Sequence, residues 1–260
     1  MDSLWVAKTG LEAQQTRMSV VSQNLANVNT TGYKRGRAIF EDLLYQNVVQ
    51  AGGLTSQQTE SPTGLNLGTG VRVVATDKSF TQGNLILTNE PLDLAIQGRG
   101  FFEILLPDGT QAYTRDGNFQ MSPEGEVVTS SGYTLQPAIT VPPNSQSLTV
   151  GVDGVVSVIA AGGTDPIQIG TIQAVDFVSP AGLQARGQNL YMETIASGPP
   201  QPGTPGLNGL GTIMQGNLET SNVNVVEELV NMIETQRAYE MSSRAIATSD
   251  EMLQYATNNL

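Results

Sequence analysis

The side chains that could do chemistry in this chain are carboxylates, hydroxyls and amides, because its 260 residues include neither cysteine nor histidine. Disulfides, thiolate nucleophiles, zinc-type sites and the commonest general base are thereby removed together. Candidate acid pairs remain among Asp108, Asp116, Glu124 and Glu126. A glycosidase-type acid and nucleophile need a cleft and two different environments. Most of these carboxylates instead stand in D-G or E-G steps, where the side chain caps its own backbone and glycine supplies a positive φ. QGRGF at 97–101 places G-x-G after a strand, but residue 103 is Glu and the following residues read as strand. A dinucleotide fingerprint needs a third glycine and a helix there, so the expectation is a strand bend where glycines allow close backbone approach. EF-hand, P-loop and histidine-dependent triads are absent too. No catalytic, cofactor-binding or metal-ligating residue is assigned, and no cofactor is expected.

The remaining chemical cluster is made of amides. QNLANVNTTGYKR at 23–35 carries Asn24, Asn27 and Asn29 where a helical pattern gives way to a turn. Buried amides can fix the register between helices at some cost in stability, and Asn with Gly also terminates helices anywhere. Both readings stay open. The basic knot beside them, Lys34, Arg35 and Arg37, reads as a solvated turn.

The elements that must position these groups are two terminal helices and a β region. Leu4, Leu11, Met18 and Leu25 lie seven apart, with Ala7, Gln14, Val21 and Val28 three residues later. This a/d pattern predicts a helix packed along another helix, with Gly32 as terminator. At the other end Val225, Met232, Tyr239, Ile246, Leu253 and Leu260 repeat the interval, with Ile233 beside them and Asn224 and Glu227 forming a capping-box-like start. The companion row begins at Leu229 and turns polar at Gln236, Ser243 and Asp250. Between the helices, short β-branched or aromatic runs alternate with Asp108-Gly109, Asp116-Gly117, Glu124-Gly125 and Ser131-Gly132, the spacing of an all-β domain. Residues 46–70 and 197–211 are rich in Gly, Pro, Ser, Thr and Gln and read as irregular.

The fold class expected is α+β: N- and C-terminal helices forming a coiled-coil domain, with an inserted all-β domain. Residues 1–32 and 223–260 form the discontinuous helical part, 33–75 and 197–222 an extended connecting region, and 76–196 the β-rich domain. Charged residues make up only 14% of the chain, and 24 acids against 12 bases leave a net charge of −12. Such a surface repels phosphate backbones and anionic lipid, so nucleic acid is not an expected partner. No run approaches the ~18 apolar residues of a membrane span, so direct membrane insertion is not expected. The start MDSLWVAKTGLEAQQ lacks the basic and apolar regions of a cleavable signal peptide. Only Lys8, Glu12 and Arg17 carry charge between Leu4 and Val28, and the helices keep Asn, Gln, Ser and Thr, as surfaces covered by neighbours do.

SVVSQNLANVNTTGYKR (19–35), LDLAIQGRGFFEI (92–104) and QGNLETSNVNVVEELVNMIETQRAYEMSSRAIATSDEML (215–253) closely resemble the conserved blocks of the bacterial flagellar rod and hook axial proteins. The start SLWVAKTGLEAQQ and the stretch AIFEDLLYQ are most similar to the distal-rod type. The resemblance spans essentially the whole chain. It implies a structural subunit rather than an enzyme, in which the terminal helices form an inner coiled-coil domain around a central export channel and the β domain lies outside. It also implies helical homopolymerisation into a straight, stiff, hollow shaft, helped in family members by the stretch corresponding to 46–62. Implied partners are other copies of the chain, proximal rod and hook-side axial proteins, the surrounding P and L ring proteins, and the flagellar type III export apparatus. The implied location is the basal-body rod across the periplasm, reached without a cleavable signal. The subunit interface expected on this reading comprises Leu4, Leu11, Met18, Val21, Asn24, Leu25, Asn27, Val28 and Asn29 with Val225, Leu229, Met232, Ile233, Tyr239, Ile246 and Leu253. The alternatives are a proximal rod or hook subunit of the same family, or a secreted polysaccharide-acting enzyme.

Overall fold

A computed structural model describes residues 2–50, 52, 54–56, 59–60, 63–162 and 165–258. The chain is α+β, with one long helix at each end and a β region between them. Contacts divide it into two units. Met1–Ala26, Gly36–Asp77 and Asn224–Leu260 form the first, and Asn27–Arg35 with Lys78–Val223 the second.

In the first unit, helix α1 (Asp2–Ala26) packs along helix α2 (Val225–Asn258). Asn224 caps α2 as its spacing suggested: its Oδ1 accepts the Val226 N–H at 3.1 Å, and its carbonyl accepts the Glu228 N–H at 3.0 Å. Glu227 and Glu228 add negative charge to the first turn, where the helix dipole favours it. The segment from 36 to 78 is more ordered than its composition suggested. Gly36–Asp42 pairs with Val71–Lys78, and Gln46–Val49 pairs antiparallel with Leu65–Leu67, so the stretch expected to be irregular contains a two-stranded ribbon. Backbone ladders need no apolar alternation, and this ribbon has little of it. Its residues Val48 and Leu65 stand exposed, as do Leu44 and Tyr45 just before it. Gly70, at φ +120°, lies so close to Thr9 that any side chain there would collide with the Thr9 hydroxyl.

The second unit is built on a nine-stranded sheet. Phe101–Leu105 is its axis, flanked by Gln111–Thr114 and Thr134–Gln136, while its first residues also pair with Ala174–Asp176. A three-stranded sheet of Ser145–Val150, Val155–Ala160 and Pro166–Thr171 lies in the same unit. Strand alternation sends Phe102 into a core with Leu94, Ile96, Phe119, Leu135 and Ile213. Phe101 enters another with Tyr113, Phe177 and Tyr191, packed edge to face. Three of the four D-G, E-G and S-G steps are turns: Gly109, Gly125 and Gly132 take φ of +78°, +83° and +84° and close the 106–109, 122–125 and 129–132 turns, whereas Asp116-Gly117 is no turn and Gly117 instead lies against Leu94, whose N–H donates to its carbonyl at 3.0 Å. Gly98 and Gly100 (φ +115° and +129°) make the expected strand bend, and a Cβ on Gly98 would stand 2.9 Å from Gly211 Cα. Asn217–Glu219 pairs with Leu85–Leu87, and Thr212–Gln215 with Leu94–Gln97. Residues 197–222, expected as connecting chain, thus contribute three strands to this unit, counting Gln201–Gly203 on Ala174–Asp176. No described helix is long and apolar enough to cross a membrane.

Candidate assembly interface and a buried ion cluster

The surface that α2 turns toward α1 is small and polar. Along α2, Glu228 and Thr235 are buried, and Asn231, Ala238 and Ser242 half-buried. These positions are spaced three and four apart and define one face. On α1 the most buried positions are Thr9, Ala13, Val21 and Asn24. Arg17 reaches across, its Nη2 donating to Asn231 Oδ1 at 3.5 Å and lying 4.0 Å from Glu234. On the opposite side of α2 stands an apolar row, Val226, Leu229, Val230 and Ile233, spaced i, i+3, i+4, i+7 and exposed throughout. At 100° per residue the two rows are about 180° apart on the helix. Helix α2 therefore closes on its own chain with its poorer face and leaves its apolar face open.

Of the residues expected at the interface, Leu229 and Ile233 belong to the apolar row. Leu4, Leu11, Met18 and Leu25 are half-buried, and Val21 is buried. Val28 is half-buried in the turn beyond α1, in the second unit. Val225, Leu229, Ile233 and Tyr239 are exposed, Met232 and Ile246 half-buried, and the Leu253 side chain lies outside the described residues, as does Leu260. Gln236, Ser243 and Asp250 are exposed.

The asparagines separate into distinct roles. Asn24, buried in the last turn of α1, donates through Nδ2 to Gly36 O (2.8 Å) and to Glu228 Oε2 (3.3 Å), and its Oδ1 accepts the Gly36 N–H at 2.8 Å. One amide thus satisfies both backbone groups of Gly36, as a neighbouring strand would, and ties α1 to α2 within the first unit. Asn27 belongs to the turn, where its Oδ1 accepts the Thr30 hydroxyl at 3.2 Å and its carbonyl the Thr30 N–H at 3.2 Å. Asn29 is exposed.

Of the basic knot expected as a solvated turn, Arg37 is exposed and Arg35 half-buried, but Lys34 is buried. In the second unit Lys34 is 0% exposed, Glu219 1% and Arg115 4%. Lys34 Nζ lies 2.6 Å from Glu219 Oε1 and also donates to Thr81 O at 2.9 Å. The Gly83 N–H donates to the same carboxylate oxygen at 2.8 Å, and Arg115 Nη1 lies 3.4 Å from the other. Arg115 further donates to Ile96 O and Gly98 O (3.3 and 2.7 Å), with its guanidinium over the Phe101 ring. Burial pushes the Lys34 and Arg115 side chains below their ordinary ranges, and Glu219 pulls both back up. Three chain segments meet at this one carboxylate. The strap that brings Lys34 there is tied again by the Gly32 N–H to Glu219 O (2.8 Å), Thr31 Oγ1 to Asp116 Oδ1 (2.9 Å), and the Arg35 N–H to Asn222 Oδ1 (2.7 Å). Arg37, in the first unit, pairs with Asp77 at 2.9 Å.

Of the carboxylates weighed as a catalytic pair, Asp108 and Glu124 lie in turns, Asp116 is tied to the strap, and Glu126 stands in a β-bridge with Thr140. Asp108 accepts the Thr110 N–H (3.1 Å) and hydroxyl, which hold it below its usual range. Ser122 does the same for Glu124. Asp116 is pushed up by burial while it accepts Thr31 and the Asn118 N–H.

Three family models match along the chain. That of the flagella basal body rod protein covers residues 4–34, that of the flagellar hook protein FlgE/F/G D1 domain covers 95–158, and that of the flagellar basal body rod FlgEFG protein C-terminal covers 214–260. Terminal helices and β unit together therefore define a flagellar axial protein. The flagellar basal-body rod protein FlgG of Buchnera aphidicola subsp. Schizaphis graminum is 58% identical over 252 residues, 97% of each chain. In Caulobacter vibrioides the rod protein FlgG is 46% identical over 261 residues (100% of this chain, 99% of that one), and the rod protein FlgF 36% over 258 residues (96% of each). The chain belongs to the FlgG family of flagellar basal-body rod proteins, which are structural proteins and not enzymes.

Proposed function

We propose that this chain is the structural subunit of the distal rod of the flagellar basal body, polymerising helically into a straight, stiff, hollow shaft that transmits torque from motor to hook and carries the export channel. The observation that carries this reading is the open apolar face of α2, Val226, Leu229, Val230 and Ile233, set opposite the face that meets α1. An apolar row of this kind, on a helix already paired by its polar side, calls for a neighbour. A contact in which one patch meets a different patch on the next copy propagates as an open helix rather than closing. On this reading the heptad residues of both helices and the turn residues Asn27 and Asn29 belong to the subunit interface as well. The shaft assembles with other rod and hook components: proximal rod proteins below, hook-side axial proteins above, P and L ring proteins around it. The subunit reaches its place across the periplasm through the flagellar type III export apparatus.

Electron microscopy of basal bodies from a strain lacking the gene tests the reading. The expected product is a rod that stops short and bears no hook. A complete rod with a hook overturns it.

A further inference from the structure

Asn208 is the only asparagine in the chain that precedes a glycine. It stands exposed in the turn Leu207–Leu210, which the Leu210 N–H closes on Leu207 O at 2.9 Å, with Asn208 at φ +54° and Gly209 at φ +83°. Positive φ at both central residues is the type I′ arrangement, which asparagine and glycine adopt at least cost. The closing hydrogen bond of such a turn comes from the residue after the glycine, so the glycine N–H takes no part in it. Among the described residues neither the Gly209 N–H nor the Asn208 side-chain amide has a partner. A Cβ on Gly209 would meet nothing within 4 Å.

Other steps of related chemistry are arranged differently. At Asp108-Gly109 and Asp153-Gly154 the glycine N–H itself closes the turn, donating to Leu106 O (2.9 Å) and Gly151 O (3.0 Å). The Asp108 and Asp153 carboxylates are occupied as well, by the Thr110 and Val155 N–H groups. Gly117, after Asp116, is wedged against the Leu94 carbonyl. At Asn144-Ser145 the serine N–H donates to Pro142 O at 3.1 Å. Asn189 shares a positive φ (57°), but leucine follows it and its amide donates to Thr31 O at 3.0 Å.

We propose that Asn208 is a site of spontaneous covalent modification, where the side-chain amide is lost through a succinimide ring closed by the Gly209 backbone nitrogen. That nitrogen gives up its proton and bonds to Asn208 Cγ. The Cγ–Nδ2 bond breaks, and Nδ2 leaves as ammonia with the proton that Gly209 released. Water then opens the ring at either carbonyl, giving aspartate where it cleaves the bond to Cγ and isoaspartate where it cleaves the original backbone bond. Glycine permits the attack because no Cβ crowds its nitrogen. The turn must open for the ring to close, and one hydrogen bond spans these four residues. Either product puts a negative charge into Gly203–Thr212, which carries none. Isoaspartate also adds a backbone carbon beside Leu210, which packs against the β core.

The test ages the purified full-length subunit at neutral and at mildly alkaline pH and digests it with trypsin. Residues 187–237 are released as one peptide, because no Lys or Arg lies between Arg186 and Arg237. Mass spectrometry then compares Asn208 with Asn189, Asn217 and Asn231 in the same peptide. The expected result is a gain of about 1 Da at Asn208, at least about tenfold faster than at the other asparagines, since only here is the following residue without a Cβ. Conversion rises with pH, because the attacking nitrogen must lose its proton. Its isoaspartate fraction accepts a methyl group from S-adenosylmethionine when isoaspartyl methyltransferase is added. Conversion at Asn208 no faster than at Asn217, or a product that is aspartate alone, overturns the proposal. Gly209→Ala adds a methyl that meets open space in the fold and is expected to slow conversion about tenfold by crowding the nitrogen. An unchanged rate in that variant overturns the ring closure.

Discussion

Glu219→Gln is the sharpest test of how the β unit is closed. The substitution keeps the shape of the side chain and removes the carboxylate that Lys34 and Arg115 share in the buried cluster. Glutamine can still accept one hydrogen bond, but its NH2 end meets a cation or the Gly83 N–H, all of them donors. Removing one partner of a buried ion pair costs about 3–5 kcal/mol, because the remaining charge stays in a low dielectric. Domain stabilities are only about 5–15 kcal/mol, so a large share of the unit's stability is at stake. With a urea slope of about 2 kcal/mol per molar, the midpoint falls by roughly 1.5–2.5 M. Tyrosine near-UV circular dichroism follows this unit, which holds Tyr33, Tyr113, Tyr133 and Tyr191. Lys34→Met serves as comparison. It leaves Glu219 with Arg115 and the Gly83 N–H and relieves the burial of the ammonium, so its midpoint falls by less than half as much. A Glu219→Gln midpoint within about 0.3 M of the parent, less than 1 kcal/mol at that slope, refutes the view that one carboxylate closes this unit.

Two further outcomes follow from local geometry. Gly98→Ala forces a Cβ to 2.9 Å from the Gly211 backbone at φ +115°, whereas Gly109→Ala meets open space at φ +78°. Chemical unfolding is expected to show a loss of more than about 3 kcal/mol for the first and about 1–2 kcal/mol for the second, and equal losses contradict the close approach. Burial raises the Tyr113 hydroxyl to about 12, and Tyr191 rises as well. A folded value above the unfolded one means stability is fully present below pH 10 and is lost as pH rises through 12. Alkaline ultraviolet titration should therefore show some tyrosines ionising only near or beyond pH 12, and a single step at pH 10 with the fold retained contradicts their burial.

Some of this architecture is legible in the residues and some is not, for identifiable reasons. The helices announce themselves through the Leu4 and Val225 heptad rows, and the β unit through its D-G, E-G and S-G steps, because both are local signals. The small, polar α1–α2 contact is not legible, since period arithmetic weighs apolar residues and passes over Thr9, Ala13, Thr235 and Ser242. Lys34 reads as a solvated turn because its partner Glu219 lies 185 positions away. In a chain this poor in charge, a basic residue between Tyr33 and Arg35 offers no local hint of burial. The ribbon beyond Gly36 is hidden by its Gly, Ser, Gln and Thr content, which suits a loop and a backbone ladder equally. The role of Asn24 is half legible: an amide at a helix end suggests capping, but its grip on Gly36 depends on the chain folding back twelve residues later.

The central claim is that the apolar face of α2 builds the rod. Ile233 is half exposed at the C-terminal end of that row. Completing its burial contributes about 1 kcal/mol, and a carboxylate in its place costs several more in a dry contact, a penalty repeated at every subunit. Ile233→Asp should leave the free subunit's circular dichroism unchanged. The decisive measurement is electron microscopy of basal bodies from a strain carrying this substitution: the account predicts rods that stop short and bear no hook, and rods of full length with hooks attached would contradict it.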